Sequence, residues 1–483
     1  MSSNWPTLTL GDVCVKITDG AHNSPKSVVD GKPMASVKDL TRFGVDLSNA
    51  RLIAQEEFYK LVKQGCQPET GDVLIAKDGN SALDTVCTVD KPLDAVLLSS
   101  VAILRPDKEK LDSDFLKYYF CSASVIDYLK NNFISGAAIP RVVLKDFRKA
   151  EINVPPLDTQ KNIASVLRSL DDKIQLNTQT NQTLEQIAQA IFKSWFVDFE
   201  PVKAKMAVLE AGGTDEQAEL AAMSAISGKT EEQLLQLKVE QTEADAQESA
   251  NVAGGRMPGA TYAELAQTSA LFPSAMEESE LGEIPEGWRY SEIGNEVTVA
   301  GGSTPSTKNG DFWENGSIHW TTPKDLSGLS DKVILDTDRK ITPLGLKKIS
   351  SGLLPIDTVL MSSRAPVGYL ALAKVPVAVN QGYIAMKCTK DLPPEYVIQW
   401  CAHYMDDIKQ RAGGTTFAEI SKKNFKPLSV VVPSADVLNS YKAKVGGLYD
   451  LISNHVVESS SLAEIRDSLL PKLLAGDLPL NGD

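Results

Sequence analysis

The sequence predicts an α+β protein: two globular domains of similar fold, joined by two long antiparallel α-helices that form a coiled-coil spacer, with a pseudo-twofold internal repeat. Three observations predict it. The block Gly136–Pro155 returns as Gly414–Pro433 at an offset of 278, with Phe147 matching Phe425. The offset continues without a gap into a helical stretch, pairing Leu170 with Leu448, Ile174 with Ile452 and Ile187 with Ile465. Both helical stretches keep a heptad seam with polar residues at the same central layers. A period this long is not that of a solenoid, whose repeats run roughly 20–50 residues.

The 483 residues suffice for roughly three domains of ~150 residues each. Residues 1–155 form the first domain. Asp-Gly and Gly-Asp turns punctuate short apolar runs, of which Asp72–Ala76 and Leu97–Leu104 read as strands. Ser113–Leu129 reads as a helix capped by Ser113 or Asp114. Residues 285–433 repeat the order, with strands at Asp357–Met361 and Gly382–Met386 and a helix at Pro394–Ile408.

The first long helix occupies 156–200, starting near Asp158. Its seam runs Ile163, Leu167, Leu170, Ile174, Asn177, Asn181, Leu184, Ala188, Ile191 and Trp195, in alternating steps of four and three. About 39 residues make a rod of ~58 Å. The second helix, 434–483, carries Tyr441, Val445, Leu448, Ile452, His455, Ser459, Leu462, Arg466, Leu469 and Leu473 on the matching seam. An antiparallel pair centred near residue 179 sets Asn177 beside Ser459 and Asn181 beside His455. Polar seam residues cost stability but fix register and partner.

Residues 201–284 read as an acidic connector, partly helical. Between Met206 and Glu283, 15 acidic residues meet three basic ones, a balance of −12. The chain's net −14 therefore leaves −2 for everything else, so the duplicated parts are nearly neutral and can carry local basic patches.

No run approaches the ~18 apolar residues of a membrane span, and no signal peptide is visible. The six cysteines form no CxxC pair, as expected of buried thiols in a cytoplasmic protein. Phosphate-binding, zinc-protease and nucleophile-elbow motifs are absent, as is the [DNS]PP[YF] signature of an amino-methyltransferase, since Leu157 follows Pro155–Pro156. No catalytic residues, metal ligands or cofactor site are expected on this chain.

Loops at matching points of both copies have the chemistry of nucleic-acid contact. Early in each copy stand DGAHNSPK (Asp19–Lys26) and GGSTPSTK (Gly301–Lys308). Small residues let backbone approach phosphate, hydroxyls and amides bond phosphate or base edges, and lysine adds charge. The candidate DNA-contact residues are His22, Asn23, Ser24, Lys26, Lys77, Arg141, Lys145 and Arg148 in the first copy. In the second they are Ser303, Thr304, Ser306, Lys308, Lys324, Arg364, Lys422 and Lys423. Singly, each is more often a turn residue or a solvated charge.

The plan resembles the specificity subunit of type I restriction-modification systems. PPLDTQKNIASVLRSLDDKI (155–174) and SWFVDFEPVKAKM (194–206) look like that family's first conserved region. SLLPKLLAGDL (468–478) looks like the end of its second, and ELGEIPEGW (280–288) like the lead into its second recognition domain. One departure is Pro433–Ser434–Ala435, which stands where the first copy has Pro155–Pro156–Leu157.

The resemblance implies a non-catalytic subunit. Its two target recognition domains would each read half of an asymmetric bipartite site in double-stranded DNA, with the helices as spacer. Two methyltransferase subunits carrying S-adenosylmethionine would dock on the helices. Restriction motor-endonuclease subunits using ATP and Mg would join them. The near-neutral domains imply few phosphate contacts and weak DNA binding by the lone chain. Competing readings are an enzyme with its own chemistry, the specificity protein of a stand-alone modification system, and a coiled-coil adaptor between protein-binding domains.

Overall fold

The computed structural model describes residues 5–79, 82–135, 141–248, 261–414 and 418–478. The chain divides into two compact units, Met1–Asn177 with Glu458–Asp483 and Thr178–Val457. Both long helices run through both units, as Leu157–Phe196 and Ala435–Ala475.

In the first unit a four-stranded antiparallel sheet has the order Cys14–Asp19, Val101–Pro106, Val73–Ala76, Val86–Thr88. A three-stranded sheet has the order Arg51–Ile53, Ser27–Ala35, Val96–Leu97. The run read as one strand, Leu97–Leu104, is therefore two. Val96–Leu97 serves the smaller sheet and Val101–Pro106 the larger, with a turn closed by Val101 N donating to Leu98 O at 3.0 Å. The expected helix over Ser113–Leu129 is also two, Ser113–Tyr119 and Ala123–Phe133. Asp112, not Ser113 or Asp114, caps the first by accepting from Phe115 N, and Ser122 starts the second from extended backbone. Phe115, Tyr118, Phe120 and Phe147 form the core with Ile163 and Leu167 of the first long helix and Leu470 and Leu473 of the second.

The second unit repeats the plan. A five-stranded sheet has the order Thr298–Ala300, Tyr383–Lys387, Thr358–Ser363, Val367–Ala373, Val333–Ile334. A three-stranded sheet has the order Arg339–Ile341, Ile318–Thr321, Val377–Val379. In both small sheets the central strand pairs antiparallel on one side and parallel on the other. The expected helix at Pro394–Ile408 breaks at Tyr404 into Pro394–His403 and Met405–Gln410.

The described residues between 200 and 284 hold helices Glu200–Glu210, Asp215–Ser227, Glu231–Glu248 and Tyr262–Ser269, then the hairpin Met276–Ser279 with Gly282–Pro285. Val202, Met223, Leu234, Leu265 and Phe272 join the core that contains Trp195, Phe199 and Trp288. Thr214 and Thr261 each form a reciprocal capping box. The acidic composition masked a narrow apolar face, and one charge lies inside it: Lys205 is buried and its ammonium donates to Glu219 at 2.6 Å and to Phe272 O at 2.8 Å.

The long helices are antiparallel within each unit. In the first, Asp171 meets Arg466 at 2.7 Å and Asn177 Nδ2 donates to Ser459 Oγ at 3.2 Å. In the second, His455 Nδ1 donates to Asn181 Oδ1 at 2.8 Å and Tyr449 OH to Glu185 at 3.0 Å. Residue numbers rise along one helix as they fall along the other. Of the seam residues, Ile163, Leu167, Asn177, Asn181, Leu184 and Ile452 are buried. Leu170, Ile174, Ile191, Leu448, His455, Ser459, Leu462 and Leu469 are half-buried.

Candidate nucleic-acid interface

The two glycine-containing loops are seated alike. A methyl group on Gly20 would come within 2.1 Å of Leu97 O, and one on Gly302 within 1.6 Å of Val379 O. No residue but glycine fits there. The next residue then donates to the same carbonyl, Ala21 N to Leu97 O at 2.7 Å and Ser303 N to Val379 O at 3.1 Å. His22, Asn23, Ser24 and Lys26 follow as exposed residues in one unit, and Thr304, Ser306 and Lys308 in the other. Ser303 is half-buried, its Oγ donating to Lys348 O. Thr304 Oγ1 donates to Gln381 Oε1 at 2.9 Å.

Around the first loop the fold gathers segments distant in sequence. His22 lies 3.2 Å from Asp19, and Arg141 3.2 Å from Asp78. Lys145 is exposed, and the Arg148 guanidinium donates to Ile17 O at 2.7 Å. Lys77 departs from its expected role. It is 4 % exposed, with its ammonium 3.3 Å from Asp19 and 3.1 Å from Asp78. A lysine buried between two carboxylates pairs with both and ties the two loops together, so it does not offer a free charge to phosphate.

In the second unit Lys422 folds against the glycine loop, since a methyl group on Gly301 would reach 2.7 Å from its Nζ. Arg364 lies 3.7 Å from Glu419. Lys324 and Lys423 are exposed, and Lys324 follows Pro323, which packs on Gly382.

One contact repeats with its charges reversed. Val142 N donates to Lys77 O and Ile420 N to Ser363 O, both at 3.0 Å, and the two donors stand at the 278 offset. Beside that shared backbone link, Asp78 faces Arg141 in the first unit, whereas Arg364 faces Glu419 in the second. Arg141 and Glu419 occupy equivalent positions of the repeat.

The sequence is matched over residues 2–186 and 285–438 by the family model described as the type I restriction modification DNA specificity domain. The chain belongs to this family. It is 32 % identical over 402 residues to the HindI specificity subunit of Haemophilus influenzae, spanning 81 % of this chain and 83 % of that one. It is 34 % identical over 193 residues to the MjaIX specificity subunit of Methanocaldococcus jannaschii, spanning 39 % of this chain and 44 % of that one. A solved type I S subunit from M. genitalium has a TM-score of 0.49 at 15 % identity, covering 97 % of this chain and 96 % of that one. As in the family, the function is DNA recognition.

Each specificity domain is fastened to the helix pair by a carboxylate that the seam pattern did not reveal, buried in the first unit and half-buried in the second. In the first unit Asp171 accepts from Arg466 at 2.7 Å, Tyr118 OH at 3.0 Å, Arg42 Nε at 3.2 Å and Lys117 at 3.4 Å. Burial pushes its carboxyl up, but Arg42, Lys117 and Arg466 outweigh burial and hold it below the usual range. In the second, Glu185 accepts from Lys332 at 2.7 Å and from Gln399 and Tyr449 at 3.0 Å each. Burial opposes its ionisation too, and Lys332 overcomes it, leaving Glu185 below its ordinary value.

Among the described residues no helix is long and apolar enough to cross a membrane, and no cluster of three or more His, Cys, Asp or Glu could hold a metal ion.

Proposed function

We propose that this chain is the specificity subunit of a type I restriction-modification complex and that each unit reads one half of an asymmetric, bipartite site in double-stranded DNA. The observation that carries the reading is the backbone link shared by the two units with its ion pair reversed. A common scaffold holds both loop clusters, while Asp78–Arg141 and Arg364–Glu419 present opposite charges at matching positions. Two readers built this way address unlike half-sites. The contacting residues are those of the glycine loops with Arg141, Lys145, Arg148, Lys324, Arg364, Lys422 and Lys423, positioned by backbone and specified by side chain.

Two methyltransferase subunits dock on the helices. Ile187 and Ile465 are equivalent at the 278 offset, and they remain 43 % and 47 % exposed. Large apolar side chains kept in solvent at repeat-related positions suit two copies of one partner. Those partners supply S-adenosylmethionine chemistry, and restriction subunits add ATP- and Mg-dependent cleavage. This chain contributes binding and orientation only, and works in the cytoplasm.

The test is methylome sequencing with and without the gene, followed by exchange of one domain at Pro155 or near Pro285. Two unlike half-sites, of which an exchange alters one, is the expected result. If an exchange alters both, the assignment of one domain to each half-site fails.

A further inference from the structure

The small sheet of the second unit carries a guanidinium outside the candidate loops. Arg339 opens the strand Arg339–Ile341, opposite Trp320 in antiparallel register. Its guanidinium carbon stands 3.5 Å from the centre of the Trp313 ring and 5.4 Å from that of Trp320. The two indoles meet edge to face at 4.9 Å. Both are tied to the glycine loop: Trp313 Nε1 donates to Ser306 O at 3.0 Å and Trp320 Nε1 to Ser303 O at 3.3 Å. The same backbone that forms the candidate contact loop therefore positions the stack.

The other arginines described in this unit are engaged. Arg289 is held by Glu296 and Asp391, Arg364 faces Glu419, and Arg411 donates to Pro427 O. Arg339 is exposed, and its guanidinium has no ion pair or hydrogen bond among the described residues. Stacking fixes the plane of a guanidinium while leaving its N–H edge open. The first unit holds an arginine at the same station. Arg51 opens Arg51–Ile53 opposite Met34, its NH2 2.9 Å from the Met34 sulfur. Position and residue type recur, while the supporting side chain differs.

We propose that Arg339 is a base-reading side chain of the second recognition domain and takes a guanine through its O6 and N7. This rests on the DNA-reading function proposed above. A fixed planar fork suits the bidentate guanine edge, the commonest specific contact in the major groove. Phosphate is served as well by a flexible lysine, and Lys308 and Lys348 adjoin the same loop.

The experiment is methylome sequencing of the assembled complex carrying R339K or R339A, with thermal unfolding as a control. R339K keeps the charge and so guards against misfolding as the cause. The expected result is a guanine of the second half-site that becomes tolerant of other bases, with discrimination falling between roughly 5- and 150-fold. The first half-site keeps its sequence. Reduced methylation with both half-sites intact would make Arg339 a phosphate contact and overturn the proposal. Unchanged methylation, or a second half-site without guanine, overturns it as well. A wild-type complex that shows no bipartite site refutes the DNA-reading function itself, and this inference with it.

Discussion

His455 Nδ1 donates to Asn181 Oδ1 across the long helices of the second unit, and the 278 offset converts this pair into Asn177 with Ser459 of the first. One polar bridge thus stands in each unit, at positions matched by the internal repeat of the sequence. Such layers fix register at a cost in stability. Asn181→Leu should destabilise the second unit by about 1–3 kcal/mol by stranding its partner. Adding His455→Leu should recover most of the loss, because both polar groups then leave together. Denaturant unfolding of the four chains of the double-mutant cycle checks this, and an additive result refutes it.

Asp171→Ala should lower the stability of the first unit by about 3–5 kcal/mol, since it leaves Arg42, Lys117 and Arg466 around an empty centre. Thermal unfolding measures it. A loss below about 1 kcal/mol would mean that the cluster breaks even with solvent.

The two fastening carboxylates also set an acid limit. Asp171 and Glu185 both lie below their ordinary values of 3.8 and 4.5. Depressed carboxylates contribute their full stabilisation above the unfolded-state value and lose it as pH falls through the folded one. Stability should hold down to about pH 5 and fall steadily below about pH 4. Asp171→Asn should flatten that fall, as measured by urea midpoints across the range. A stability rising towards acid would contradict the assignment.

Ile187→Asp and Ile465→Asp should leave unfolding unchanged within about 0.5 kcal/mol, as exposed positions do. Each should weaken capture of one methyltransferase copy by roughly 10-fold or more. Native mass spectrometry of the complex would show one bound copy for either variant and none for the pair. Two copies on the double variant would place the docking face elsewhere.

Much of this protein is legible in its sequence because helix geometry is periodic. A seam of threes and fours and a constant offset imply two helices that pair antiparallel, and the same offset implies two domains of one fold. The glycine loops were legible for a related reason, since Gly20 and Gly302 sit where any side chain would strike a carbonyl. Tertiary structure alone decided which charges are free. Lys77 and Arg339 look alike as isolated basic residues, yet one is closed between Asp19 and Asp78 and the other is laid open on Trp313. Asp171 and Glu185 obey no repeat, because their partners Arg42, Tyr118, Lys332 and Gln399 come from loops and helices far off in sequence. Periodicity is a property of one segment and can be read locally. Charge neutralisation depends on neighbours that only the folded chain brings together.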